Sequence, residues 1–204
     1  MTLGRLHVLT DARAGRDALS LAEHALAAGA PVVQLRIKGC SDREVYDMGL
    51  RLMAACARHG ATCIVNDRVD IALAIGAHGT HLGADDLPVA AVRRVAGSSH
   101  LIGGTSRDPV HAARLVSDGA DYLGVGPAFH TSTKDGLPTP LGPSGVGAVA
   151  HAVGVPVIAI GGITVDAVPT LLAAGAYGVA VVGAVSDASD PARATADLLR
   201  ALAG

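Results

Sequence analysis

The sequence has no tryptophan, one phenylalanine and three tyrosines. Its core cannot rest on aromatic rings and must be built from Ala, Val, Leu and Ile. Charge is scarce too: 17% of residues are charged, and 16 basic against 18 acidic side chains leave a net charge of −2. A nucleic-acid-binding surface needs a basic excess, so that class is excluded. No apolar run reaches the roughly 18 residues of a membrane span, and no signal-peptide layout precedes Asp11. The three cysteines, Cys40, Cys56 and Cys63, have no CxxC spacing. They read as reduced thiols of a cytoplasmic protein, not as a disulfide framework or zinc site.

What is present is a chain 50% apolar with 26 glycines, too apolar to be disordered. Short apolar runs recur at 6–10, 32–37, 62–66, 80–83, 101–105, 122–126, 157–161 and 179–183. Their nearly unbroken apolar character is that of parallel strands buried on both faces. Helical periodicity lies between them, at 18–28, 43–59, 69–75, 89–95, 109–118, 143–152, 165–174 and 192–202. Ser41, Asp108 before Pro109, and Thr164 read as helix starts. Gly29, Gly60, Gly76, Gly119, Gly154 and Gly175 read as helix ends, each just before a strand. A strand–loop–helix–Gly unit repeated eight times predicts an α/β fold, a single closed (β/α)8 TIM barrel over 1–204. An open doubly wound sheet is the alternative, without the GxGxxG that would follow its first strand.

In such a barrel the strand C-terminal ends carry the chemistry. Arg36 and Lys38 alternate at the end of strand 2 and suit a phosphate or diphosphate; solvated loop charges are the other reading. Lys134, in Thr131-Ser-Thr-Lys134, adds a third cation. Gly161-Gly162 and Gly183-Ala184 offer backbone N–H groups to an anion, or are simple turns. Asp67 and Asp86 end neighbouring strands, and two carboxylates beside a diphosphate suit Mg2+; a helix cap and a loop cap are the plainer roles. His81 reads as a packed barrel histidine. There is no Ser-His-Asp or Cys-His arrangement. The residues alone thus predict two anion sites, one cationic and metal-assisted, the other a neutral backbone cradle.

The ordered motifs Val33-Gln-Leu-Arg-Ile-Lys38, Val65-Asn-Asp-Arg68, Gly79-Thr-His-Leu-Gly83 with Asp86-Leu-Pro88, Gly124-Val-Gly-Pro127 with Thr131-Ser-Thr-Lys134, and Ala159-Ile-Gly-Gly-Ile163 closely resemble the thiamine phosphate synthase family. The resemblance runs from about Leu6 to Ala196. It implies a Mg2+-dependent transferase joining hydroxymethylpyrimidine diphosphate to hydroxyethylthiazole phosphate, with thiamine phosphate and pyrophosphate as products. The family reaction passes through a pyrimidine carbocation captured by the thiazole nitrogen.

By the resemblance, Arg36, Lys38, Asn66, Ser106 and Lys134 contact the diphosphate, and Asp67 and Asp86 hold the metal. Thr131 and Thr133 lie near the phosphates, and Gly162 with Gly183, Ala184 and Val185 cradles the thiazole phosphate. Gln34 stands beside the pyrimidine. Four places depart from the family pattern: Ile37 for an acid, Ala84 for Gln, Arg107-Asp108 for a small residue and His, and Gly183 for Ser. Rival readings are a thiazole tautomerase, whose catalytic His falls near Pro127, a divergent enzyme on another phosphorylated substrate, and a non-catalytic phosphate-binding protein. The partners expected are small phosphorylated molecules, with the oligomeric state open.

Overall fold

A computed structural model describes residues 3–11, 13, 17–133 and 136–204. Eight parallel strands close into one ring in sequence order. They are β1 (Leu6–Leu9), β2 (Val32–Leu35), β3 (Thr62–Asn66), β4 (Gly79–Leu82), β5 (Leu101–Ser106), β6 (Tyr122–Val125), β7 (Val157–Ile160) and β8 (Gly178–Val181). The seam is β1 against β8, with His7 opposite Ala180. The helices are α1 (Ala18–Ala27), α2 (Asp42–His59), α3 (Val69–Ala74), α4 (Val89–Ala96), α5 (Pro109–Ser117), α6 (Gly142–Ala150), α7 (Val168–Ala173), α8 (Gly183–Ser186) and α9 (Pro191–Ala203).

The strands are almost wholly buried because each is covered on both faces. Outside the ring, Val33, Leu35, Cys63 and Val65 pack under α1 and α2, and Val8, Ile102, Leu123 and Val179 pack under the other helices. Inside it, Leu9, Val32, Ile64, Tyr122, Ile158 and Ala180 form a separate cluster. Helix α1 shows the matching helical logic, burying Ala18, Leu21, Ala22, Ala25 and Leu26, the spacing of one apolar face.

Five helices end in the same device. Ala30, Ala61, Ala77, Ala120 and Ala176 each donate their N–H to the carbonyl five residues back, such as Ala120 to Leu115 at 2.9 Å. The preceding glycine is left-handed each time, at φ 103° for Gly119. This is the Schellman ending, where the Ala after the Gly starts the run into the next strand. Ser41 caps α2 in a reciprocal box with Glu44, and Asp108 caps α5 through the His111 N–H.

Four expectations are corrected. Gly154 is not left-handed, because α6 already ends at Ala150. Thr164 makes no side-chain cap. The helix expected over 165–174 opens as a 3-10 turn, Val165–Ala167, before α7 begins. Pro169 has no N–H for the Val165 carbonyl, so the Val168 N–H takes that carbonyl in a tighter turn. Finally, Gly183-Ala184, read as an anion-binding backbone turn or a simple turn after the last strand, opens the short helix α8.

Candidate active site

A cavity of about 690 Å3 opens at the C-terminal ends of the strands. Its floor is set by large side chains meeting inside the ring. The His81 ring lies between the Tyr122 hydroxyl (3.1 Å from Nδ1) and the Thr105 hydroxyl (3.0 Å from Nε2). His7 packs its edge on Tyr122. Glycine makes this possible: a Cβ on Gly103 would overlap Tyr122, and one on Gly124 would stand 2.9 Å from His81. Burial lowers the His81 pKa to about 4. Burial, with the nearby His81, lowers that of His7 to about 3. Both rings are neutral at pH 7, and His81 is the packed barrel residue its sequence position suggested.

Above the floor, Gln34, Arg36, Asn66, Thr131, Thr133, Gly162, Gly183 and Ala184 all line the cavity. Gln34 is buried, and its Oε1 has no hydrogen-bond partner. A buried amide oxygen without a partner costs about 1–3 kcal/mol, which a ligand donor would recover. Arg36 is fixed through its backbone, whose N–H donates to Thr10 Oγ1 and whose carbonyl accepts from it. Its guanidinium makes no hydrogen bond or ion pair among the described residues, so its charge faces the chamber.

Lys38 does not follow Arg36 inward. Strand β2 has ended at Leu35, and Lys38 Nζ turns aside to Asp67 Oδ2 at 2.7 Å. Asn66 Nδ2 donates to the same oxygen at 2.9 Å. Asp67 has φ 55°, alone among the described non-glycine residues in being left-handed. This uncommon conformation, which Asp tolerates better than most residues, aims its carboxylate across the end of β3. Asp67 caps no helix, for α3 has no side-chain cap. Asp86 does bind its own loop, accepting the Gly83 N–H at 2.6 Å, and it lines an adjoining cavity of about 250 Å3.

Ser106 lines neither cavity. Its hydroxyl donates to the Asp108 carbonyl at 3.1 Å and lies 3.3 Å from His111 Nδ1. His111, in the first turn of α5, was not foreseen. It brings an imidazole to Ser106 in a chain that lacks the family's His two residues after it. Lys134 lies outside the described residues. Thr131 and Thr133, just before it, pair their hydroxyls at 3.0 Å over the cavity.

The opposite wall is backbone. Gly161 and Gly162 have φ 96° and 65°, and the adjoining loop packs onto them. A Cβ on Gly161 would stand 2.7 Å from Pro127 Cβ, and one on Gly162 would collide with the His130 carbonyl. The pair is therefore a platform for the β6–α6 loop as well as part of the wall. In α8 the Val185 N–H is committed to the Val182 carbonyl at 3.0 Å. The N–H groups of Gly183 and Ala184 have no partner among the described residues. A Cβ on Gly183 would meet Asp187 Oδ2 at 3.0 Å and Thr133 Cγ2 at 3.3 Å, so this chain fills the place of the family's serine from both sides.

A further cluster anchors α8. Arg13 binds both Asp11 carboxylate oxygens, Ser186 Oγ at 3.1 Å and Asp187 Oδ1 at 2.7 Å. Burial raises the Asp11 pKa, but hydrogen bonds from Arg13 and Ser186 outweigh it and hold the carboxyl well below the usual range. This ties the end of β1 to the helix at the cradle. No local pattern announces it, because Arg13 and Asp187 lie 174 residues apart.

The sequence pattern of the thiamine monophosphate synthase family matches residues 6–185. A thiamine-phosphate synthase of Salinispora tropica is 56% identical over 204 residues, with 98% of each chain covered. One of Chloroflexus aurantiacus is 46% identical, over 97% of this chain and 92% of that protein. Among solved structures, a thiamine phosphate pyrophosphorylase from Pyrococcus furiosus superposes with a TM-score of 0.90 at 35% identity, covering 98% of this chain and 95% of that one. A closed barrel with this chamber at the strand ends, matched along nearly its whole length, belongs to the thiamine monophosphate synthase family.

Proposed function

We propose that the chamber couples hydroxymethylpyrimidine diphosphate to hydroxyethylthiazole phosphate, releasing thiamine phosphate and pyrophosphate. The observation that carries this reading is the pairing of unlike walls around one cavity. The Arg36 guanidinium lines the chamber on one side and the N–H groups of Gly183 and Ala184 on the other, all without partners among the described residues. Gln34 lines the same chamber, and its Oε1, unpartnered among the described residues, suits the amino group of a pyrimidine. Thr131 and Thr133 stand where both phosphates approach.

The donor set fits Mg2+. Asp67 and Asp86 supply hard carboxylate oxygens, and the described residues contain no cluster of three or more His, Cys, Asp or Glu. Mg2+ is commonly held by one or two carboxylates and completed by substrate phosphates and water. When bound it would supply charge to the leaving diphosphate. Arg36, and Lys38 once released from Asp67, would meet the same developing charge, as would Lys134. Ser106, expected at the diphosphate, would have to give up its bond to the Asp108 carbonyl to reach that group. Asn66 holds the Asp67 carboxylate in place. Gln34 orients the pyrimidine, and the cradle at the start of α8 holds the thiazole so that its nitrogen faces the forming cation. Catalysis in this scheme is positioning and charge stabilisation.

The tautomerase reading loses support at Pro127, which is buried against Gly161 and brings no proton-transfer group. The three cysteines are free, as a reducing cytoplasm requires, and no helix among the described residues is long and apolar enough to cross a membrane. The test is a coupling assay with both substrates, with and without Mg2+, following thiamine phosphate by mass. Product that depends on Mg2+ supports the reading. A folded protein giving none would overturn it.

A further inference from the structure

We infer that Arg107 is a positioning residue for the β6–α6 loop, gripping both of its stems so that Thr131 and Thr133 are held at the chamber. Arg107 follows β5 and lines neither cavity. Its Nε donates to the Gly126 carbonyl at 3.2 Å, and its Nη2 donates to the Thr139 carbonyl at 2.5 Å. Gly126 begins the loop and Thr139 nearly ends it. One planar guanidinium thus spans both ends, a geometry that its fixed fork of donors allows.

The rest of the loop base agrees. Leu141 N–H donates to the Pro127 carbonyl at 2.9 Å, and Gly142 N–H to the Ala128 carbonyl at 3.0 Å. On the other side, Phe129 N–H donates to the Gly161 carbonyl at 2.9 Å. The Pro127 and Phe129 stem is therefore held by backbone on two sides. Among the described residues Thr139 has no such backbone bond: it is exposed, and its carbonyl is held by Arg107. Between the stems lie Thr131 and Thr133, which line the chamber. Releasing Thr139 leaves the outgoing stem held only at its base, by Leu141 and Gly142, and lets Thr131 and Thr133, with their hydroxyls, leave the site. The small residue usual in the family at this place has no guanidinium to do this, so the clasp belongs to this chain's own sequence.

This inference rests on the assignment of Thr131 and Thr133 to the substrate site. The test pairs Arg107→Ala and Arg107→Lys with the unaltered protein, using two readouts. Hydrogen exchange compares 129–141 with the barrel strands without added substrate. Steady-state kinetics for both substrates are run well below the melting temperature. In Arg107→Ala, exchange quickens in the loop while the strands are unchanged. The kcat/KM falls about tenfold for both substrates, because the population with Thr131 and Thr133 in place sets the apparent affinity. Arg107→Lys, which keeps a donor but not the fork, lies between. Unchanged loop exchange, or quicker exchange spread evenly over the strands, overturns the clasp. Quicker loop exchange with unchanged kinetics overturns its positioning role. The exchange arm needs no turnover, so it separates failure of the clasp from failure of the coupling reaction.

Discussion

The carbonyl of His130 occupies the space that a Cβ on Gly162 would need. Gly162 also sits at φ 65°, a conformation that costs a side-chain-bearing residue about 1–2 kcal/mol. Gly162→Ala therefore has to push the β6–α6 loop off its platform. A melting temperature lower by about 2–8 °C is expected for a barrel of this size, together with weaker use of both substrates. Thermal unfolding and kinetics on the purified variant check this, and a variant as stable and active as the parent would refute the platform.

Gln34 gives the opposite signature. Its Oε1 is buried without a partner, so replacing the amide by an apolar side chain of similar shape removes a cost. Gln34→Met is expected to gain about 1 kcal/mol in stability while losing affinity for the pyrimidine diphosphate. Urea unfolding and the KM of each substrate measure the two effects. A destabilised variant with unchanged KM would show that the amide serves the barrel and not the ligand.

At Asp67 the backbone and the charge can be separated. Asn tolerates the left-handed conformation that Asp67 adopts, so Asp67→Asn keeps the turn and removes the carboxylate. Loss of Mg2+-dependent turnover should reach at least the roughly 100-fold that even outer-shell changes can cause, with little change in melting temperature. Mg2+ titrations of the rate decide it, and an unchanged rate ends the metal assignment.

The floor histidines make stability depend on pH. His7 and His81 titrate at about 3 and about 4 in the folded chain, below the unfolded value of about 6.5. As pH falls below that value, the unfolded chain takes up protons that the folded one refuses. Stability is therefore lost as pH drops from about 6.5 toward 4, by up to about 1.4 kcal/mol per pH unit for each ring. Urea midpoints between pH 7 and 5 read the slope, and His7→Gln should reduce it. A flat profile in the parent protein would contradict the burial.

The eight units were legible because each repeats the same local chemistry. An apolar strand precedes a one-faced helix, and the helix usually closes on Gly-Ala. The strand-end rule and the family resemblance together named eight residues that line one cavity, without any knowledge of contacts. What escaped was either too short or too distant. Helix α8 has four residues, less than any periodic window. Lys38 obeys alternation only while β2 lasts, and β2 stops at Leu35. The Gly161-Gly162 pair reads as an anion cradle, yet its lack of side chains is also demanded by Pro127 and His130, more than thirty positions upstream. Arg107 and His111 act through partners that no local pattern announces.

The seam between the first and last strands has a consequence for how the ring is made. Arg5, just before β1, donates to the Tyr177 carbonyl 172 residues away, and to the Leu202 carbonyl in α9. During synthesis β1 emerges first and must wait for β8. Until residues 178–181 leave the ribosome, the sheet is an open arc with bare backbone at both ends, and those ends are competent to pair with a neighbouring nascent chain. Translation rate and chaperone cover over this last stretch therefore bear on the yield of closed barrels, and the same stretch brings Ala180 and Val181 to the chamber wall.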